Sequence, residues 1–226
     1  VDYSQIELRV LAHFSADPAF VTAFTKGIDV HRQTASVIFD VPVEDVSAAQ
    51  RGQAKTVNFA TLYGQGPFSL ARQLGIGREE AKEFIATYFE RFKGVRDFLD
   101  AQVEQAKESG YVETLMGRRR YVPELRARNW NVRQFGERVA QNTPIQGTAA
   151  DMIKKAMIDV QAGLDGSDFT ATMLLQVHDE LLFEVPEGEV DGVRDLAVER
   201  MEGAVELNVP VVAEWGVGKS WYDAKG

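Results

Sequence analysis

The chain has 226 residues, 45% of them hydrophobic and 26% charged, which is enough for one substantial core or two small ones. Lys and Arg number 25 against 34 Asp and Glu, a formal net charge of −9 that argues against a grip on nucleic acid through bulk positive charge. The absence of Cys excludes disulfides, thiolate metal sites and a Cys nucleophile, and no apolar run approaches the roughly 18 residues of a membrane span. No basic-then-apolar leader opens the chain, so a cytoplasmic location is expected.

Val1 to His13 (VDYSQIELRVLAH) reads as the middle of a core element, although domains ordinarily begin with a loosely ordered stretch. A piece of a longer protein is therefore expected. Val10 to Phe39 mixes short apolar patches with Asp and Gly, and Asp29 is placed to cap a helix reaching Phe39. A longer helical pattern runs from Val46 to Tyr63 and meets the breaker Gly64-Gln65-Gly66-Pro67. Phe68 to Leu74 predicts a short helix ended by Gly75. Arg78 to Lys107 predicts one long helix, with apolar residues from Phe84 to Val103 at helical spacing.

Tyr111 to Leu115 and Arg120 to Val122 predict short strands about a turn at Gly117. Val132 to Ala162 predicts a helix that Pro144 kinks or divides. Two apolar runs, Met173 to Val177 and Leu181 to Val185, flank His178-Asp179-Glu180 as a hairpin with acids at its tip. A helix from about Glu189 to Leu207 and a strand from Val211 to Trp215 follow. The fold class is α+β, with much helix and a small antiparallel sheet.

Charge is unevenly placed along these elements. Residues 51–138 carry 16 basic and 11 acidic side chains, a local +5, whereas residues 176–226 carry 4 and 12, a local −8. Within the basic stretch, Gly117 to Arg133 holds six Arg against one Glu, with Tyr121 and Trp130 interleaved. That composition suits phosphate contact and base stacking, or equally a solvated Arg-rich loop.

Three patterns bear on chemistry. Gly218-Lys219-Ser220 imitates the end of a phosphate-binding loop, but that motif requires Gly at position 213, which is Ala. Asp2 in an apolar strand and Asp179-Glu180 at an apolar hairpin are costly placements unless paired, hydrogen-bonded or bound to a cation. If Asp2 and Asp179 meet, they repel without a cation between them, and oxygen-only ligands favour Mg²⁺; the alternative is two unrelated surface acids. His13, His31 and His178 are too dispersed for a local zinc motif. Finally, Arg51, Lys55, Phe59 and Tyr63 recur every fourth residue and form one slowly spiralling helical stripe. Its like charges one turn apart would be reconciled by phosphates, and its aromatics would suit a planar base; a core-facing aromatic stripe with basic ends is the rival reading.

Taken together, these residues resemble a known family. Asp2 to Arg9 (DYSQIELR) is similar to motif A of family A DNA polymerases, the bacterial DNA polymerase I type. Arg51 to Gly64 (RGQAKTVNFATLYG) is similar to its motif B, and Gln176 to Glu180 (QVHDE) to its motif C. Thr114 to Arg120 and Gln146 to Asp151 also resemble family segments, in family order.

The resemblance implies template-directed DNA synthesis, in which a primer 3′-hydroxyl attacks the α-phosphate of a dNTP and releases pyrophosphate. It implies a mostly helical fingers subdomain at residues 17–135, with the motif B helix at about 46–63. A palm strand with motif A would occupy residues 1–16, and palm with the motif C hairpin residues 136–226. The thumb and exonuclease domains would be absent, and the chain alone is expected to be inactive.

Asp2, Asp179 and Lys55 would be catalytic, with two Mg²⁺ held by Asp2, the Tyr3 carbonyl, Asp179 and Glu180. The dNTP would be met by Gln5, Glu7, His31, Arg51, Lys55, Phe59 and Tyr63. Primer–template DNA would be met by Arg138, Asn142, Gln146 and His178. The full-length enzyme would be a monomer with no membrane contact. Two rivals stand beside this reading. A single-subunit RNA polymerase shares the two acids and the Lys–Tyr helix, though Glu7 and Glu180 favour the DNA enzyme. A non-catalytic nucleic-acid-binding remnant is the other, and the intact Asp2, Lys55 and Asp179 argue against it.

Overall fold

Punctuation in the sequence becomes element ends in the structure, a computed structural model that describes residues 1–225. In chain order the elements are β1 (Asp2–Tyr3), α1 (Ile6–Ser15), α2 (Pro18–Thr25), α3 (Val30–Phe39), α4 (Ala48–Leu62), α5 (Pro67–Leu74), α6 (Arg78–Arg91) and α7 (Lys93–Ser109). They continue with β2 (Tyr111–Glu113), β3 (Arg119–Tyr121), α8 (Trp130–Asp165), β4 (Thr172–Val177), β5 (Glu180–Glu184), α9 (Val190–Glu202), β6 (Ala213–Glu214) and α10 (Trp221–Ala224). The architecture is α+β, as the patterning predicts. Among the described residues no helix is long and apolar enough to cross a membrane. The chain divides into two compact units, one of residues 1–10 and 146–225, the other of residues 11–145.

The first unit is built on a four-stranded sheet in the order β4-β5-β1-β6, with antiparallel pairing throughout. Two-residue β1 is an inner strand: Asp2 pairs with Glu180 on one side and Glu214 on the other. The Tyr3 hydroxyl donates to the Met201 carbonyl at 2.6 Å and ties β1 to α9. Buried Arg9 donates from Nε to the Ser4 carbonyl and from Nη1 to the Pro210 carbonyl, at 2.7 and 2.6 Å. It thereby satisfies one backbone acceptor just after β1 and one on the segment leading to β6, and those bonds offset the cost of its burial.

The second unit is helical apart from the β2–β3 hairpin. Asp29 caps α3 by accepting from the His31 and Arg32 amides. Ser47 and Gln50 form a reciprocal capping box at the start of α4. Gly75 closes α5 in the left-handed conformation, at φ 68°.

The 30-residue helix expected over 78–107 is instead two helices, α6 and α7, broken at Phe92. Phe92 is fully buried, with its ring 4.8 Å from those of both Phe20 and Tyr88, and the chain bends there to bring it into that aromatic core. A distant residue secures the restart. Asp17, already the cap of α2, accepts from the Gly94 amide at 3.0 Å through its second oxygen.

Pro144 does not divide α8, which runs unbroken from Trp130 to Asp165. The helix from about 189 closes earlier than expected, at Glu202, and the final strand shortens to Ala213–Glu214.

Candidate active site

The acids singled out in the sequence belong to the first unit. β4 and β5 are joined by His178 and Asp179 alone, so Glu180 is not at the hairpin tip but is the first residue of β5 and is buried. His178 takes a left-handed φ of 56°, which is uncommon for a residue with a Cβ. The Tyr3 amide donates to the Asp179 carbonyl at 3.1 Å, and Asp2 lies opposite Glu180 in register. Strand pairing therefore brings motif A and motif C together.

Burial pushes the Asp2 carboxyl up from its ordinary range, and repulsion from Asp179 and Glu180 pushes it further. Its Oδ1 is buried and has no hydrogen-bond partner among the described residues. A buried carboxylate oxygen without a hydrogen-bond partner, coupled to two more carboxylates, offers the hard oxygen donors that a divalent cation takes. No three His, Asp or Glu side chains converge on one metal position among the described residues. What the pairing brings together is two aspartates, a donor set that leaves most of a divalent ion's shell to water or a ligand.

Glu180 stands apart within this group. The Trp221 indole Nε1 donates to its Oε1 at 2.8 Å, and the Lys225 Nζ lies 2.9 Å from its Oε2. Gln5, on the turn after β1 at φ 56°, has a buried Oε1 that also lacks a partner, and Glu7 follows on the first turn of α1.

The basic and aromatic stripe lies in the second unit on α4. Ala54, Val57, Asn58, Thr61 and Leu62 take the buried face, while Arg51, Phe59 and Tyr63 are half-buried and Lys55 is exposed. The stripe is therefore not the core-facing side of the helix. The Phe59 and Tyr63 rings lie near-parallel, 6.1 Å apart.

His31 on α3 is buried, its ring 6.1 Å from Phe59, and its Nδ1 is 2.9 Å from the Asn58 amide nitrogen. Asn58 Oδ1 is in turn 3.1 Å from the Thr34 hydroxyl. Burial pushes His31 down to about 4, the neighbouring Arg51 and Lys55 charges add to the shift, and Asp29 opposes it.

Arg51 Nε donates to Asp29 Oδ2 at 2.7 Å. Burial alone would raise the Asp29 carboxyl, but the bonds from Arg51, Arg32 and His31 outweigh it and hold the group below its usual range. Sequence reasoning identified Asp29 only as a cap and assigned Asn58 no role. An interior Asn between Val57 and Phe59 was the available signal, since Asn is a poor helix residue unless its amide has work.

The four residues expected to meet DNA are spread along α8 and the hairpin turn. Arg138 and Asn142 are half-buried, and Gln146 and His178 exposed. Asn142 donates to the Tyr63 carbonyl at 3.4 Å, while its buried Oδ1 has no partner among the described residues. The Arg-rich segment leaves Arg118, Arg119, Arg120, Tyr121 and Trp130 exposed, with Arg119 held over the Tyr111 ring and against Glu113.

The family model for DNA polymerase family A matches residues 1–223. The chain belongs to that family. It is 53% identical over 224 residues to DNA polymerase I of Bacillus subtilis (strain 168) and of Geobacillus stearothermophilus; each match covers 99% of this chain and 26% of the relative. It therefore spans about a quarter of the length of these family A polymerases. Among solved structures it superposes with a TM-score of 0.96, at 47% identity, on the POL domain of Pol1 from M. smegmatis, a complex with DNA primer-template and dNTP. The match covers all of this chain and 40% of that one. Membership of a DNA polymerase family sides against the RNA polymerase alternative.

Proposed function

We propose that this chain contributes the nucleotidyl-transfer chemistry of template-directed DNA synthesis, joining dNMP from a dNTP to a primer 3′-hydroxyl and releasing pyrophosphate. The reading rests chiefly on one observation: β1 and the β4–β5 turn bring Asp2 beside Asp179 and leave Asp2 Oδ1 buried and unpartnered. Asp2, Asp179 and the Tyr3 main-chain carbonyl would hold Mg²⁺. Two such ions, when bound, activate the attacking oxygen and stabilise the leaving one.

Each remaining residue has a task set by its chemistry. Arg51 and Lys55 would take the triphosphate, Arg51 through the planar fork that Asp29 already orients. Neutral His31 would add a ring N–H to the same oxygens, because Asn58 engages its Nδ1 and leaves Nε2 to carry the proton. Lys55 would also give a proton to the departing pyrophosphate oxygen. Phe59 would stack on the incoming base, and Tyr63 would sit beside the templating one.

Glu7 would crowd the sugar 2′ position and exclude ribonucleotides, with Gln5 beside it at the dNTP. Arg138, Asn142, Gln146 and His178 would meet primer–template DNA. The enzyme would act in the cytoplasm as a monomer. Primer extension by the polypeptide that carries this chain tests the reading. Asp2→Asn and Asp179→Asn should abolish extension while DNA binding persists, and normal extension by either variant overturns the metal assignment.

A further inference from the structure

Glu180 is the acid of this group that another segment of the chain grips. Both of its oxygens are engaged, one by the Trp221 indole N–H and the other by the Lys225 ammonium, which itself lies 5.0 Å from the centre of the Trp221 ring. Trp221 and Lys225 are the two ends of one short segment, α10 and the residue after it. An indole N–H can only donate and an ammonium has no lone pair, so both hold a carboxylate and neither can share in binding a cation. Each oxygen has one such partner, and together the two contacts fix the orientation of the carboxylate. Asp2, across the ladder from Glu180, keeps a bare buried oxygen instead.

From this we infer that Trp221 and Lys225 hold Glu180 as the anchor of α10, and that Lys225, docked there, acts as a positioning residue tempering how tightly Asp2 and Asp179 take a divalent cation. The inference rests on the proposed metal reading. Lys225 is close enough to Asp2 and Asp179 for their charges to act on it, so its positive charge stabilises the three-acid group when no metal is bound and repels an arriving cation. Segment and hairpin are then coupled: α10 stays docked through Glu180, and its Lys225 stays beside the acids.

Two measurements on the 226-residue chain test this. In the first, Mn²⁺ is titrated at fixed ionic strength and free Mn²⁺ is read by electron paramagnetic resonance, for the unaltered chain, Lys225→Gln, Lys225→Arg and Asp179→Asn. Lys225→Gln should bind Mn²⁺ about three- to tenfold more tightly, Lys225→Arg should match the unaltered chain, and Asp179→Asn should lose binding. In the second, Trp130→Phe and Trp215→Phe leave Trp221 as the sole indole, and Mg²⁺ should leave its emission unchanged.

Equal or weaker Mn²⁺ binding by Lys225→Gln, with binding by the unaltered chain intact, overturns this inference alone. So does a Mg²⁺-dependent shift in Trp221 emission, which would mean that Glu180 has left the indole. No binding by the unaltered chain, or undiminished binding by Asp179→Asn, overturns the metal reading and this inference with it.

Discussion

Arg51 on α4 and Asp29 at the cap of α3 form an ion pair with 2.7 Å between Nε and Oδ2, and the same Asp29 carboxylate caps α3 through the His31 and Arg32 amides. One acid thus fixes a guanidinium and the helix start that carries His31. The two roles separate by substitution. Asp29→Asn keeps a capping oxygen and weakens only the partly exposed pair, so urea unfolding should show a loss of at most about 1 kcal/mol. Asp29→Ala removes the cap as well and should cost about 1 kcal/mol more. Equal losses from both would show that capping contributes nothing at this site.

His31 predicts a pH dependence with a definite sign. Its folded value of about 4 lies below the ordinary 6.5, so between those limits the unfolded chain binds more protons than the folded one. Stability should therefore fall as pH drops from 6.5 towards 4, and be free of this penalty above 6.5. Thermal midpoints of the unaltered chain and His31→Gln across that window should show a flatter slope for the variant. Parallel slopes would place the titration on another group.

Asp2 should behave in the opposite sense. Its carboxyl is raised, so holding it charged at neutral pH costs folding energy. In EDTA at pH 7.5, Asp2→Asn should melt at or above the unaltered chain. Added Mg²⁺ should raise the midpoint of the unaltered chain and leave that of the variant unmoved, because only a state that binds the ion is stabilised by it. Equal Mg²⁺ responses would move the cation elsewhere.

Gly94 is required by close packing. A Cβ there would lie 3.0 Å from both Cα and Cβ of Asp17, whose carboxylate accepts from the Gly94 amide. Helix propensity alone favours Ala by up to about 1 kcal/mol, whereas the forced displacement should cost about 1–3 kcal/mol. Equilibrium unfolding of Gly94→Ala reads the sign directly, and a more stable variant would show that Asp17 yields freely.

The parts of the fold legible in the sequence were those encoded locally. The Asp29 cap and the breaker after Tyr63 need only neighbours along the chain, and the helix expected from Val46 begins at Ala48 after the Ser47 cap. That Arg51, Lys55, Phe59 and Tyr63 share one stripe follows from helical spacing, whereas spacing leaves open whether the stripe meets the core. What could not be read depends on partners far away in sequence. Phe92 interrupts a continuous helical pattern because Phe20 and Tyr88 form a pocket for it and Asp17 satisfies the freed amide. Glu180 looked like a tip residue because its engagement by Trp221 and Lys225 arises some 40 positions later (41 to Trp221). Pro144 looked disruptive because the sequence does not show what surrounds a helix at that point.

The inner position of two-residue β1 also orders events during synthesis. Asp2 can pair only with residues made much later, Glu180 and Glu214, while the capping and aromatic contacts of residues 11–145 lie closer together in the chain. At roughly 5–20 residues per second, a ribosome takes roughly 10–40 s to travel from Asp2 to Glu180. Asp2 and Asp179 are thus kept apart while the residues between them are made, and the acidic pair is assembled only when β5 closes on β1. A nascent chain stalled before residue 180 would lack the partner strand through which Asp2 meets the turn that carries Asp179.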